Sequence, residues 1–362
     1  MNLNTKISGI TLKNPLMPAS GPIVGDEEKM KYLWTQGVGA MVTKTISTKA
    51  AEVPRPCIYG EKDMLMNAEL WSEHSLEHWV NHILPQVKKD IDVPLIISAG
   101  YTREDMEKVI PMLDEYADAF EISTHYVGKD LQAIGETVKT IRSRTEKPVY
   151  MKMSPHIPDP VGFARIAKEN GASGIVAINS LGPTMKINIK NRCTPVGNDA
   201  GQVWTSGPVI KPVALALVNM IREAIPDFTI IGVGGIRTAD DIIEFLLAGA
   251  DAVQMLSSAL LYGKDLYGKL LKDLPGALEK YGFSSVEEVV STRLVRKEVT
   301  FDPDYPEVNA GKCTACGLCE KVCPYFAMEV KEKACVDKNK CFGCGLCESR
   351  CPVKAIHGVV ER

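Results

Sequence analysis

With 362 residues, of which 45% are hydrophobic and 24% charged, the chain has the length and composition of a globular protein with one large and one small domain. Its net charge of −3 gives no sign of a nucleic-acid or membrane-surface partner. The best candidate for a membrane span, residues 242–261, is interrupted by Glu244 and Asp251. Because the N-terminal segment lacks the hydrophobic region of a signal peptide, we predict a cytoplasmic protein.

Short apolar runs alternate with helical segments from Asn14 to about Ser258. The runs are nearly continuous, as expected for parallel strands that are buried on both faces. The predicted strands are 15–20, 38–45, 94–100, 118–124, 148–154, 174–180, 228–235 and 250–257. This alternation indicates either a doubly wound sheet or a (β/α)8 barrel, and eight candidate strands favour the barrel.

Polar residues or glycines lie where each predicted strand ends. In chain order they are Ser20, Lys44 and Thr45, Ser98, His125 and Tyr126, Lys152, Asn179 and Ser180, Gly234 and Gly235, and Ser257. Any single serine or glycine here is more simply a helix cap or a turn residue. A barrel, however, brings all of these positions to one rim, where barrel active sites are built. Since the set includes two lysines, we predict an active site at this rim.

The last two strands carry a possible phosphate site. Gly-Val-Gly-Gly-Ile at 232–236 ends predicted strand seven, and Gln-Met-Leu-Ser-Ser at 254–258 ends strand eight. Backbone amides and a serine hydroxyl at these positions form the usual phosphate site of such barrels. Neither a G-x-G-x-x-G turn between strand and helix nor a Walker lysine motif occurs, so we predict that the chain lacks its own dinucleotide domain.

Cysteine is concentrated at the C-terminal end, where nine of the eleven cysteines follow residue 310. The spacing C-x2-C-x2-C-x3-C-P occurs twice, which is typical of two-cluster ferredoxins, in which the fourth cysteine of each motif binds the other cluster. The predicted ligands are Cys313, Cys316, Cys319 and Cys351 for cluster one and Cys341, Cys344, Cys347 and Cys323 for cluster two.

The alternative to two [4Fe–4S] clusters is a pair of zinc sites, since zinc also binds C-x2-C pairs. Zinc does not require the triple repeat followed by C-P, so we favour the clusters. Cys335, between the motifs, is predicted to be a small buried residue rather than a ligand. Prolines in the segment 301–309 mark a linker, which divides the chain into a barrel at 1–300 and a ferredoxin-type domain at 301–362.

Several motifs resemble the FMN-binding dihydroorotate dehydrogenase family. They are Asn14-Pro15 with Ala19-Ser20-Gly21, Val42-Thr43-Lys44-Thr45, Lys152-Met153-Ser154-Pro155, Ile178-Asn179-Ser180, Thr205-Ser206-Gly207-Pro208 and Gly234-Gly235-Ile236. The segment Asn67-Ala68-Glu69-Leu70-Trp71-Ser72-Glu73 is similar to that of the dihydropyrimidine dehydrogenase branch, whose catalytic subunit also carries iron–sulfur clusters.

The resemblance implies a set of residues around FMN and the substrate. Lys152 would lie near the pyrimidine ring of the flavin, where an ammonium stabilises the anionic reduced form. Hydrogen bonds to the isoalloxazine or ribityl would come from Lys44, Thr45, Asn67 and Glu69, and the flavin and its phosphate would be lined by Ala19, Ser20, Ser206, Gly207, Gly234, Gly235 and Ser257. The implied substrate-binding residues are Asn67, Ser123, Asn179 and Ser180.

The stretch after predicted strand four departs from the family. Its members usually have E-L-N-x-S-C-P there, with the cysteine (or a serine) as acid/base, whereas this chain has Ser123, His125 and Tyr126 in place of the asparagine, serine and cysteine. We predict that Tyr126 or His125 is the catalytic proton donor, since both side chains can supply a proton. Alternatively, the acid lies elsewhere, for example at Cys193 on a later loop, or the alignment is shifted by one residue.

We therefore predict an oxidoreductase that reduces, or forms, a C=C bond activated by a carbonyl in a small cyclic substrate, with electrons passing between two [4Fe–4S] clusters and FMN. One alternative is a dihydropyrimidine dehydrogenase subunit acting on uracil or thymine. Another is an electron-transfer subunit with no organic substrate of its own. An NAD-dependent flavoprotein subunit or a ferredoxin is the expected electron donor, and the resemblance implies a homodimer or a hetero-oligomer.

Overall fold

All eight predicted strands form a nearly closed parallel barrel in the computed structural model, which describes residues 1–124, 130–296, 299 and 301–360. The chain divides into two compact units, Met1–Leu294 and Val295–Arg362, close to the predicted boundary at residue 300. The first unit alternates the barrel strands with helices, and this confirms the predicted (β/α)8 fold.

The described part of the first unit contains fourteen strands. They are β1 (Thr5–Ile7), β2 (Ile10–Leu12), β3 (Leu16–Pro18), β4 (Met41–Val42), β5 (Ile58–Glu61), β6 (Met64–Asn67), β7 (Leu95–Ala99), β8 (Ala119–Ser123), β9 (Val149–Met153), β10 (Gly174–Ala177), β11 (Leu181–Thr184), β12 (Val203–Ser206), β13 (Thr229–Val233) and β14 (Ala252–Met255). The barrel strands follow the spatial order β3-β14-β13-β10-β9-β8-β7-β4.

The helices of the first unit pack around the barrel. They are α1 (Glu27–Thr35), α2 (Leu76–His78), which continues as a π-helical turn (Trp79–Ile83) into α3 (Leu84–Asp90), α4 (Arg103–Leu113), α5 (Leu131–Arg142), α6 (Pro160–Glu169), α7 (Lys211–Ala224), α8 (Ala239–Ala248), α9 (Ser257–Tyr262), α10 (Leu266–Lys280) and α11 (Val286–Thr292). Short 3-10 turns lie at Pro22–Val24 and Pro208–Ile210. Among the described residues, none of the helices combines the length and the apolar character that a membrane span requires.

The segments that lead into the first and second barrel strands approach each other closely at Gly39. The amide of Gly39 donates a hydrogen bond to the carbonyl oxygen of Leu16 over 2.8 Å. A Cβ atom at Gly39 would lie 2.0 Å from the carbonyl oxygen of Asn14, so only glycine allows this approach of the two backbones.

A second sheet, which was not predicted from the sequence, is antiparallel and has the order β11-β12-β6-β5. Its strands are inserted after the second and sixth barrel strands. Trp204 pairs with Asn67 and Ser206 with Leu65, so residues that are distant in the sequence become neighbours at the carboxyl end of the barrel.

Successive residues of the barrel strands belong to two different clusters of buried side chains. The smaller cluster fills the interior of the barrel, and the larger one lies between the barrel and the helices. Met17, Val42, Ile96 and Tyr150 belong to this interior cluster. The β1–β2 hairpin adds Ile7 and Leu12 to it, and this apolar packing supports the polar residues at the opposite, carboxyl end.

The second unit contains β15 (Glu307–Val308), α12 (Leu318–Val322), β16 (Met328–Val330), β17 (Ala334–Val336), α13 (Leu346–Arg350) and β18 (Ile356–His357). β15 pairs with β18 and β16 with β17, both antiparallel. Its small hydrophobic core includes Cys319 and Cys347 together with Met328 and Ile356. Cysteines therefore occupy the positions that apolar residues fill in an ordinary core.

Candidate active site and cysteine cavities

A pocket opens at the carboxyl ends of the barrel strands, with about 1130 Å³ of empty space when its open mouth is included. It is lined by every predicted cofactor- or substrate-binding residue: Ala19, Ser20, Lys44, Thr45, Asn67, Glu69, Ser123, Lys152, Asn179, Ser180, Ser206, Gly207, Gly234, Gly235 and Ser257. The predicted proton donors His125 and Tyr126 lie outside the described residues. The structure thus brings the other residues together, while their individual roles remain predictions.

Lys44 is held by two carboxylates. Its Nζ lies 2.9 Å from Glu69 Oε2 and 2.8 Å from Glu73 Oε2, and only 3% of its side chain is exposed. Partial burial would raise the pKa of Glu73, but the hydrogen bond and the charge of Lys44 outweigh it, so this pKa lies below its usual value.

Cys57 is a further partner of Glu69. Its Sγ donates to Glu69 Oε1 over 3.2 Å. Burial, reinforced by the hydrogen bond to Glu69, raises the pKa of the thiol to about 11, so Cys57 remains a neutral donor at neutral pH. Sequence reasoning gave Glu73 and Cys57 no role, because their partners become visible only when the loops after β4 and β6 meet.

Lys152 has a different partner, Glu121. The two side chains are 2.9 Å apart, and Glu121 Oε2 accepts a second hydrogen bond of 2.5 Å from Gln254 Nε2. Glu121 and Gln254 are fully buried. Sequence reasoning also gave Glu121 no role, although a charged residue in an otherwise apolar strand is a usable signal, since a buried charge needs a partner.

Hydrogen bonds fix the orientation of the two pocket asparagines. Asn67 Nδ2 donates to the Trp204 carbonyl over 3.2 Å, and its Oδ1 accepts from the Glu69 amide over 3.3 Å. Asn179 Oδ1 accepts from the Ser180 amide over 2.8 Å. These bonds leave each side chain with capacity for further partners in the pocket.

The predicted phosphate end combines close backbones with hydroxyl groups. Gly234 and Gly235 have φ values of 130° and 87°, and a Cβ atom at Gly235 would lie 2.9 Å from the Gly207 carbonyl oxygen. Ser257 Oγ donates to Ser206 Oγ over 2.7 Å.

Two buried polar atoms at the pocket have no partner among the described residues: Gln254 Oε1 and Ser258 Oγ. Buried polar atoms are rarely left without a hydrogen bond, so these atoms indicate that a polar ligand belongs here. Together with the glycine-lined end and the two lysines, they fit the phosphate, ribityl and ring of FMN.

The small unit has two cavities of four cysteines each. One is lined by Cys313, Cys316, Cys319 and Cys351, and the other by Cys323, Cys341, Cys344 and Cys347. The fourth cysteine of each motif thus lies in the cavity of the other motif, which is the grouping predicted from the sequence. Backbone amides face the sulfur atoms: Ala327 N lies 3.3 Å from Cys323 Sγ and Ala355 N lies 3.2 Å from Cys351 Sγ. Such donors favour the thiolates that bind iron and so fit [4Fe–4S] clusters.

Cys335 lines neither cavity, as expected, but the prediction that it is buried is wrong. It occupies the central, outward-facing position of the short strand β17 and is exposed.

The fold and these sites define an FMN and iron–sulfur oxidoreductase built on a (β/α)8 barrel. Residues 2–278 match the dihydroorotate dehydrogenase family, and residues 312–355 match the 4Fe-4S dicluster domain. The chain belongs to the dihydroorotate dehydrogenase family, whose members are oxidoreductases acting on CH–CH bonds. Its cofactors are FMN and two [4Fe–4S] clusters.

Similar proteins include catalytic subunits named dihydroorotate dehydrogenase B (NAD+). The Listeria innocua protein is 33% identical over 300 residues, covering 79% of this chain and 97% of its own. The Oceanobacillus iheyensis protein is 31% identical (81% and 99% covered), and that of Methanothermobacter thermautotrophicus is 32% identical (80% and 97% covered).

Proposed function

We propose that this protein reduces, or in the reverse direction forms, a C=C bond next to a carbonyl in a small, uncharged, cyclic substrate. The observation that carries the proposal is the pairing of charges in the pocket. Among the described residues that line the pocket, the cationic side chains are Lys44 and Lys152. Each is bonded to carboxylates, Lys44 to Glu69 and Glu73 and Lys152 to Glu121.

This pairing disfavours an anionic substrate. Dihydroorotate, which gives the similar proteins their name, carries a carboxylate, and a carboxylate in a buried site needs a cation or several N–H donors. An incoming carboxylate at Lys44 would instead meet the carboxylate of Glu69, which lines the pocket. Like charges in a site of low dielectric repel strongly, so we infer that the pocket selects uncharged rings.

Asn67 and Asn179 supply the recognition of such a ring. Each carboxamide has a donor and an acceptor, which complement the alternating N–H and C=O groups of a cyclic amide. A site built to hydrogen-bond these groups rejects analogues that lack them. The same two residues favour a second, narrower candidate function, a dihydropyrimidine dehydrogenase subunit acting on uracil or thymine.

FMN, when bound, exchanges hydride with the substrate and electrons with the clusters. The protein's own residues would orient the ring and hold the proton. Lys152 would hold the flavin ring by its ammonium, and Ser123, which is 5% exposed, would replace the asparagine of related enzymes at the substrate. Tyr126 or His125 would donate the proton to the second carbon of the double bond.

We further propose that a second protein, either an NAD-dependent flavoprotein subunit or a free ferredoxin, supplies electrons to the clusters. The similar proteins are named as catalytic subunits of NAD+ enzymes, which supports a separate nicotinamide-reactive subunit. A homodimer or a hetero-oligomer is the assembly we expect.

To test this, the holoenzyme is reduced anaerobically with dithionite and the excess reductant is removed. Uracil, thymine or another cyclic α,β-unsaturated amide is then added. We expect at least one of these uncharged compounds to reoxidise the flavin rapidly and to be converted to its saturated product. Failure of every uncharged ring, with flavin and clusters intact, would contradict the proposal.

A further inference from the structure

Glu121 is an ionisable group that the proposed reaction does not use. It lies on β8 between apolar neighbours and is fully buried, and it is not among the described residues that line the pocket. Placing a carboxylate in such a position is costly unless it is paired and hydrogen-bonded. Because an apolar residue would pack here at lower cost, we looked for a function of the Glu121 carboxylate in its contacts.

Both carboxylate oxygens of Glu121 are engaged. Oε1 accepts from Lys152 Nζ at 2.9 Å, and Oε2 accepts from Gln254 Nε2 at 2.5 Å. Because an ionised carboxylate only accepts hydrogen bonds, it fixes the Gln254 amide with its nitrogen toward Glu121. Gln254 Oε1 is then left without a partner among the described residues, and Gln254 is one of the residues that line the pocket.

Lys152 connects this buried pair to the pocket. It is only 6% exposed and lines the pocket, while Glu121 contacts it from within the barrel. A flavin ring beside Lys152 would therefore experience the positive charge of the ammonium together with the negative charge of the Glu121 carboxylate, which lies 2.9 Å from it. In an interior of low dielectric this opposition is strong.

We infer that Glu121 is a positioning residue that acts through Lys152 and sets the reduction potential of the bound flavin. The inference rests on the proposed position of the flavin ring beside Lys152. An unopposed ammonium there would stabilise the anionic reduced flavin and raise its potential. Glu121 offsets part of that charge and keeps the potential low, while also holding Lys152 in place.

The test is Glu121→Gln in the FMN-loaded protein, read by the midpoint potential and by titration with sulfite, which adds to oxidised flavin and leaves negative charge on the ring. We expect the sulfite adduct to become at least about tenfold tighter, which corresponds to a rise in potential of about 30 mV for a two-electron couple. Glu121→Asp, which keeps the charge, should stay within about threefold of the parent in the same assay. FMN-loaded E121Q with unchanged sulfite affinity and potential would overturn the inference.

If E121Q does not retain FMN, the comparison of Lys152→Met with the double variant K152M/E121Q carries the test. Replacing both members of a buried pair by neutral residues is tolerated better than removing one. Because Glu121 acts through Lys152, the two variants should bind sulfite with affinities within about threefold of each other, and binding that is about tenfold tighter in the double variant would overturn the inference. Both readouts are independent of any organic substrate, so failure of the proposed function would leave them unaffected.

Discussion

The pocket of the barrel and the cysteine cavities of the small unit both fit redox groups, but they are assembled differently. The cysteines of the cavities come from two short motifs, and each motif supplies three of the four cysteines at one cavity. The pocket collects residues between Ala19 and Leu260, and its lysines are paired with carboxylates from other segments. A substitution in the small unit should therefore remove one local group, whereas one in the pocket should disturb a balance of charges.

Cys319→Ser tests the local character of the small unit and should have the largest effect. We expect iron to fall from about eight to about four atoms per chain or fewer, because one cavity loses a ligand. Turnover with an electron-donor protein should fall about 100-fold or more, since electrons then fail to reach FMN. Reoxidation of dithionite-reduced flavin by substrate should persist. Cys335→Ser, at an exposed cysteine outside both cavities, is the matched control and should keep full iron.

Lys44→Met tests the balance of charges in the pocket. Lys44 is buried between Glu69 and Glu73, so removing it leaves carboxylates without their cation. We expect the free energy of unfolding of the barrel to fall by about 3 kcal/mol and FMN to be lost on gel filtration. Lys186→Met, in the more exposed pair with Glu61, should change neither. Retention of FMN and stability in K44M would contradict the account.

Gly39→Ala tests whether the barrel can be disturbed without affecting the clusters. The added Cβ would lie 2.0 Å from the Asn14 carbonyl oxygen. We expect a loss of about 2 kcal/mol in the free energy of unfolding, measured with denaturant, and an unchanged iron content. The control is Gly276→Ala in α10, where a Cβ atom meets nothing within 4 Å and alanine should stabilise the helix by about 1 kcal/mol.

Glu69→Gln tests the origin of substrate selection. Removing this carboxylate leaves Lys44 paired with Glu73 alone and takes away a like charge from the pocket. We expect the preference for uracil over orotate, measured as the ratio of reoxidation rate constants, to fall about tenfold, or about 1.4 kcal/mol. Glu73→Gln should have a smaller effect, because its side chain is 40% exposed and better screened. An unchanged ratio in E69Q would contradict the proposed role.

The smallest effect concerns acid stability. The folded-state pKa of Glu73 lies below its usual value, so its bond to Lys44 stabilises the fold above the unfolded pKa and is lost as the pH falls through the folded one. Because Glu73 is partly exposed, we expect less than about 1 kcal/mol. The difference in unfolding free energy between the parent and Glu73→Gln should therefore shrink between pH 6 and pH 3. A difference that is constant over this range would argue against the ion pair.

The barrel could be predicted because its strands are short, apolar and regularly spaced. The polar positions at the strand ends, such as Lys44 and Lys152, indicated the rim without a structure. The sheet β11-β12-β6-β5 was not predicted, because its strands are four residues long and partly exposed, and its central pair, β12 and β6, joins segments that are far apart in the sequence. The cysteine groups could be predicted in full, since their pattern is contained in local spacing.

The partners within the pocket could not be read from the sequence. Glu121 was visible as a charge in an apolar strand, but neither its bond to Lys152 nor that to Gln254 follows from local pattern. The same holds for Cys57 and Glu73, which meet Lys44 and Glu69 only after the loops fold together. Composition and spacing thus locate a site, while its electrostatics depend on contacts between distant segments.

The most direct measurement compares uracil and orotate, which differ by one carboxylate, as oxidants of the anaerobically reduced holoenzyme in stopped flow. The account predicts that uracil reoxidises the flavin at least about tenfold faster than orotate at equal concentration. Faster reoxidation by orotate would show that the pocket accepts an anionic ring despite Glu69, and would contradict the proposed selection of uncharged substrates.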